Sequence, residues 1–216
     1  MVSLIKATSS EIQRFGFVSD GIAVYLVSER WLLTRASAWD YLLRMDAQDI
    51  TPPPGVVFSV SRTVPHPQHI PEIRTNDILL VEMDRPVPFS RSYRPVCLHT
   101  AQDSVGELTL TRWDEYGTRE PATLLSEEQC QRKFLAGSEG APGGVTHSHL
   151  CVTISNVGYC GNYWTVLTAG NGHRAGGCTQ LLVGLLLDSS YEDSTCTELY
   201  IRMSPYIPWV ESVVWP

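Results

Sequence analysis

Two histidine pairs and six cysteines are the side chains whose types and spacing invite chemistry. His66 and His69 stand in PHPQHIP, and His147 and His149 in THSH. Imidazoles this close in sequence can share a metal ion, but a zinc site needs three or four ligands, and no third one of suitable spacing accompanies either pair. Flanked by proline or serine, the four read as solvated loop residues, and the chain asks for no metal and no cofactor. Cys97, Cys130, Cys151, Cys160, Cys178 and Cys196 contain no CxxC pair and match no His/Cys zinc spacing. They read as disulfides, which persist in oxidising compartments and so predict a secreted or extracellular chain. No N-x-Ser/Thr sequon adds to that inference.

The frame that must position these groups follows from composition. A chain of 216 residues can bury a full core, and 43% apolar against 18% charged residues, with 16 Gly and 14 Pro, suits strands joined by tight turns. The net charge of −7 argues against nucleic acid or an anionic membrane as partner. The longest apolar stretch, LLVGLLL at 181–187, is too short for a bilayer-crossing helix, so no direct membrane insertion is expected. From Gly21, GIAVYLVSERWLLT reads as two β segments around a polar turn, with further strands at 56–60, 78–83, 107–112, 150–154, 163–168 and 181–187. TPPPG (51–55), PHPQHIPE (65–72), SEGAPGG (138–144) and AGNGHRAGG (169–177) read as surface loops. Two helices are expected, at 126–134 with Ser126 as N-cap and Glu127 and Glu128 favouring its dipole, and at 204–214. Residues 1–216 are therefore one all-β domain with a C-terminal helix; Met1 opens on no apolar leader, which reads as a domain excised from a larger protein.

Four separated segments resemble the chymotrypsin-like (trypsin-type) serine proteases, over roughly residues 22–214. SERWLLTRASA (28–38) resembles SERWVLTAAHC, and NDILLVEMDRPVPFSRSYRPVCL (76–98) resembles NDIALLKLxxPVxFSxxIxPVCL. LLVGLLL is similar to the LxGIVSW strand, and LYIRMSPYIPWVESVV (199–214) to the VYTRVSxYxxWI ending. The resemblance implies two six-stranded antiparallel β-barrels with a cleft between them and a C-terminal helix.

It also implies where catalytic groups should stand. Such an enzyme needs a nucleophilic serine, a histidine base, an aspartate that orients the base, and an oxyanion hole. The histidine of TAAHC falls at Ser37, whose hydroxyl cannot shuttle a proton near neutral pH as imidazole does. The orienting aspartate falls at Asp77 and is kept; without a histidine it reads as a structural carboxylate bonded to backbone and hydroxyl groups. For the nucleophile, a motif-led alignment sets HRAGG (173–177) on GDSGG with Ala175 at the serine, but leaves a short span to Gly184 for a strand, a turn and the return strand. A cysteine-led alignment, preferred, equates Cys160 with the cysteine before the motif, places Trp164 at the serine, and leaves a full strand followed by a long loop. Tyr163 and Asn162 then replace the aspartate that receives a new N-terminus and an oxyanion-hole glycine, and Gly158 replaces the acid that selects Lys or Arg. Trp164 either fills the old cleft or is an ordinary core or loop aromatic.

The family pattern further implies disulfides Cys130–Cys151 and Cys160–Cys196, and places the cysteines of a lost pair at Ile22 and Ala38. Cys97 bridges either to a preceding chain or to Cys178; the internal bond leaves no odd cysteine. The expectation is a pseudoprotease: a non-catalytic serine protease homologue that binds a protein partner, such as an active protease or its substrate. The alternatives are a degenerate structural domain, or an endopeptidase with non-standard residues such as Ser37.

Overall fold

The computed structural model describes residues 16–19, 22–38, 49–50, 58–89, 94–100, 106–112, 119–135, 137, 140–155, 160, 165–170 and 180–216. Strands β1 (Gly16–Ser19), β2 (Ile22–Leu26), β3 (Trp31–Thr34), β4 (Asp49–Ile50), β5 (Phe58–Pro65) and β6 (Leu79–Met83) form an antiparallel sheet in the order β1-β2-β3-β6-β5-β4. The second sheet holds β7 (Cys97–Leu98), β8 (Leu108–Arg112), β9 (Arg119–Leu124), β10 (His149–Ser155), β11 (Thr165–Gly170), β12 (Gln180–Glu192) and β13 (Thr195–Arg202). Its order is β11-β8-β9-β10-β13-β12-β7, and β11 pairs back onto β12, so six of its strands close a barrel. The two-residue β7 joins that barrel in parallel, with Cys97 opposite Leu181, a departure from the all-antiparallel expectation. Among the described residues the first sheet has six strands and no closing pair.

Continuous apolar runs form these strands because both of their faces are buried. Side chains alternate across a strand, and the core divides accordingly. In β2 and β3, Val24, Leu26 and Leu32 enter the first sheet's own core, while Tyr25, Trp31 and Leu33 face a second cluster lying between the two sheets. In β12, Val183 and Leu186 fill the closed barrel, and Leu182, Leu185 and Leu187 join the intervening cluster. Each fully buried leucine of this kind stabilises the fold by about 1.5–3 kcal/mol relative to an exposed one. Gly184 sits where β12 and β13 approach closely: a Cβ there would lie 2.8 Å from the Ile201 carbonyl.

Helix α1 (Glu127–Lys133) starts at Ser126, whose hydroxyl accepts the Gln129 N–H while the Gln129 side chain accepts the Ser126 N–H, a reciprocal capping box. The C-terminal helix is α2 (Ile207–Val214), entered through a 3-10 turn at Ser204–Tyr206, and it buries Val210 and Val214. Two loop readings are corrected. PHPQHIPE contributes the end of β5 and a 3-10 turn at Pro71–Ile73. Within SEGAPGG, Gly140 and Ala141 are buried, because a bare glycine lets the Asp188 side chain pack against the backbone there. The strand expected at 181–187 is longer at both ends, its polar continuation held by pairing with β13.

Candidate functional site

The chain leaves β3 into a helical turn at residues 36–38. Ala36 and Ala38 pack into the first sheet's core, and Ser37 between them is half-buried and turned toward Asp77. Asp77 is fully buried. Its Oδ1 accepts the Ser37 backbone N–H at 2.6 Å and its Oδ2 accepts the Ser37 hydroxyl at 2.5 Å. A carboxylate holding both an N–H and an O–H of one residue is a clamp on the turn.

Asp77 sits on the loop before β6 and is positioned through its neighbour Asn76. Asn76 adopts φ 48°, a left-handed conformation that asparagine tolerates better than most residues, and its carbonyl accepts the Ile78 N–H at 2.7 Å. The Asn76 amide donates to the Gln68 carbonyl at 2.9 Å, and its Oδ1 accepts the Tyr206 hydroxyl at 3.1 Å. Burial, above all, and also the Asp77 charge push the Tyr206 hydroxyl above its ordinary range, against an opposing bond from Ser148, so it keeps the proton it donates. The His66 ring meets Tyr206 and Trp209 edge-on, at 5.3 and 5.1 Å. Two more bonds cross between the sheets beside the Ser37 turn: Arg35 Nη1 to the Leu187 carbonyl, and the Tyr25 hydroxyl to the Thr165 carbonyl, both at 3.4 Å.

None of the described histidines is hydrogen-bonded to Asp77. His66 Nδ1 accepts the Gln68 N–H, and His69 Nδ1 lies 3.0 Å from the Thr75 carbonyl. His147 is exposed. His149 is not the solvated loop residue its Ser/Thr-rich surroundings predict: it is buried, as the first residue of β10, because pairing with Ile201 draws it into the barrel wall. Among the described residues the group of acidic or sulfur side chains close enough to hold a metal is Cys160, Cys196 and Glu198, but its two sulfurs are joined to each other.

Cys130 bonds Cys151 and Cys160 bonds Cys196, and Cys97 is also disulfide-bonded. Trp164, Ala175, Tyr163, Asn162, Gly158 and Cys178 lie outside the described residues. Strand β11 begins at Thr165, and β12 and β13 pair from Gly184 to a turn at Asp193 and Ser194, both with positive φ, which matches the twist of a tight hairpin.

Sequence reasoning missed Glu198. It is fully buried on β13, and Tyr200 Oη donates to its Oε2. The spacing of Cys196, Glu198 and Tyr200 was the available signal, since alternate residues share a face of a strand. The Tyr206 to Asn76 contact was also missed, and its sequence separation of 130 leaves no local signal.

Residues 18–210 match the family model described as Trypsin. Among curated proteins, human granzyme H is 26% identical over 168 residues, which cover 70% of this chain and 61% of granzyme H, so the chain spans about three-fifths of that relative. Human kallikrein-15 is 20% identical, covering 88% and 79% of the two chains, and the serine protease SP24D of Anopheles gambiae is 24% identical, covering 88% and 70%. The solved structure of kallikrein-related peptidase 10 superposes with a TM-score of 0.66 at 20% identity, covering 99% of this chain and 94% of that one.

Proposed function

The chain belongs to the trypsin family, and from that premise we propose that it is a non-catalytic member, a pseudoprotease that acts by binding a protein partner. The observation that carries this reading is the Ser37–Asp77 pair. In the motif alignment Ser37 occupies the place of the general base, and its N–H and hydroxyl fill both oxygens of the carboxylate that would orient an imidazole. The aspartate then acts as a structural clamp with no proton transfer to support.

The cysteine-led alignment adds weight. Its Cys160–Cys196 pairing and a strand starting just after Trp164 accord with the fold, and in it Trp164 stands at the nucleophile and Asn162 at an oxyanion-hole glycine. Loss of base, nucleophile and oxyanion donor together removes the family route to acyl transfer. The loops between strands carry recognition instead, toward an active protease or a substrate of one. Disulfides and the secreted character of such domains support an extracellular location; no described helix is long and apolar enough to cross a membrane.

Incubation of the full, oxidised chain with a serine-directed fluorophosphonate and a mixed peptide library tests the reading, with trypsin as control. No labelling and no cleavage are expected from a chain whose circular dichroism shows it folded. Labelling or cleavage that disappears in Ser37→Ala would make the chain an enzyme with non-standard residues and overturn the proposal.

A further inference from the structure

Strand β12 outruns its neighbours. Beyond Gly184 it pairs with β13 on one side as far as Glu192, whereas on the other side β11 reaches only to Gly184 and β7 covers Leu181 and Leu182. Among the described residues no strand lies beside that second edge after Gly184. An open edge is a row of backbone donors and acceptors that another chain's strand can join, and folded proteins cover such rows.

Here side chains do the covering. At the bulge between Leu186 and Asp188, Leu187 has no register partner on β13. Its carbonyl accepts Arg35 Nη1 at 3.4 Å, from the residue that follows β3 in the other half of the molecule. Two residues on, the Ser189 N–H is accepted by Asp188 Oδ1 at 2.8 Å. Asp188 fits there because the buried Gly140 has no side chain: a Cβ at that position would lie 2.0 Å from the Asp188 Cβ and 2.2 Å from its Oδ2. The φ of Gly140 is not positive, so space rather than backbone conformation calls for glycine.

We infer that the Leu187–Ser189 edge of β12 is self-capped, with Arg35 and Asp188 closing it to the addition of an extended peptide strand. An incoming strand must break these two hydrogen bonds to make its own, which cancels most of the gain from pairing. The Arg35 cap also ties the edge to the turn that carries Ser37. The inference stands apart from the pseudoprotease reading, since the edge refuses a peptide whether or not the chain could cleave one.

Fluorescence anisotropy with a labelled, end-capped hexapeptide of alternating threonine and valine tests it on the full, oxidised chain. Arg35→Ala combined with Asp188→Ala is expected to bind the peptide roughly tenfold more tightly than the wild type, the effect of two backbone groups no longer held by side chains. In that variant alone the peptide should slow amide exchange at residues 187–190. The gain is expected to vanish when the peptide's alternate backbone nitrogens are methylated, because an N-methyl amide has no hydrogen to donate. Wild-type binding as tight as the variant's, a folded variant that gains nothing, or a gain that the methylated peptide retains would each overturn the inference. Should the double variant lose its circular dichroism, Asp188→Ala alone decides: a roughly threefold gain supports the cap, and no gain overturns it.

Discussion

Asp77 and Glu198 are both fully buried acids, one in each half of the molecule, and they are held by different means. Asp77 sits on a loop and is capped by a residue far away in sequence, through one backbone and one side-chain donor of Ser37. Glu198 sits in mid-strand and takes the hydroxyl of Tyr200, two residues along the same face, beside the Cys160–Cys196 bridge. Burial in turn pushes the Tyr200 hydroxyl well above its ordinary range, with the Glu198 charge adding to it, so that hydroxyl remains a donor. The difference teaches how a fold keeps an acid inside. A loop carboxylate needs long-range tertiary partners, whereas a strand carboxylate can draw on the period-two spacing of its own strand.

The contrast can be broken most forcefully at the strand end. Cys160→Ala with Cys196→Ala frees the covalent bond beside Glu198 and is expected to lower stability by about 2–4 kcal/mol in urea denaturation; a loss no larger than that of a surface substitution would show that the bridge does not hold this region. Asp77→Ala strands both Ser37 donors and should remove about 2–3 kcal/mol. Tyr200→Phe withdraws one donor from a buried acid, with an expected loss of about 2 kcal/mol. Ser37→Ala leaves the backbone N–H in place, and about 1 kcal/mol is expected. If Ser37→Ala proves as costly as Asp77→Ala, the hydroxyl alone carries the loop acid and the two-donor account of Asp77 is wrong.

The smallest effect is on pH dependence. His66 and His149 both have pKa values lowered in the fold, mainly by burial. A group whose folded pKa lies below its unfolded value of about 6.5 binds protons better in the unfolded chain. Its contribution is complete above that value and declines as the pH falls through and below it. Urea midpoints should therefore drop between pH about 7.5 and about 5.5, less steeply in His149→Asn. An unchanged slope would remove His149 from the acid response.

Much of the fold was legible because burial on both faces writes itself into sequence as apolar runs: VYLV and WLLT before residue 35, ILLV after Asp77, and LLVGLLL all became buried strands. Ser126 announced its helix because capping is a local interaction. Strand β9 escaped notice since its side chains, in REPATL, are mostly exposed or half-exposed and carry no apolar signal. His149 was misread for the opposite reason, its neighbours being polar although its ring is buried.

What the sequence determined by itself is what short-range chemistry and pattern can encode: strands, caps, the disulfide-competent cysteines and, through the motif around NDILL, the identity of Asp77 as a residue set apart. Only the tertiary structure decided what that acid holds. Ser37 is forty residues away from it, and Tyr206 reaches Asn76 across 130. Hydrogen bonds of that span depend on how distant elements pack, and no local pattern of residues specifies them.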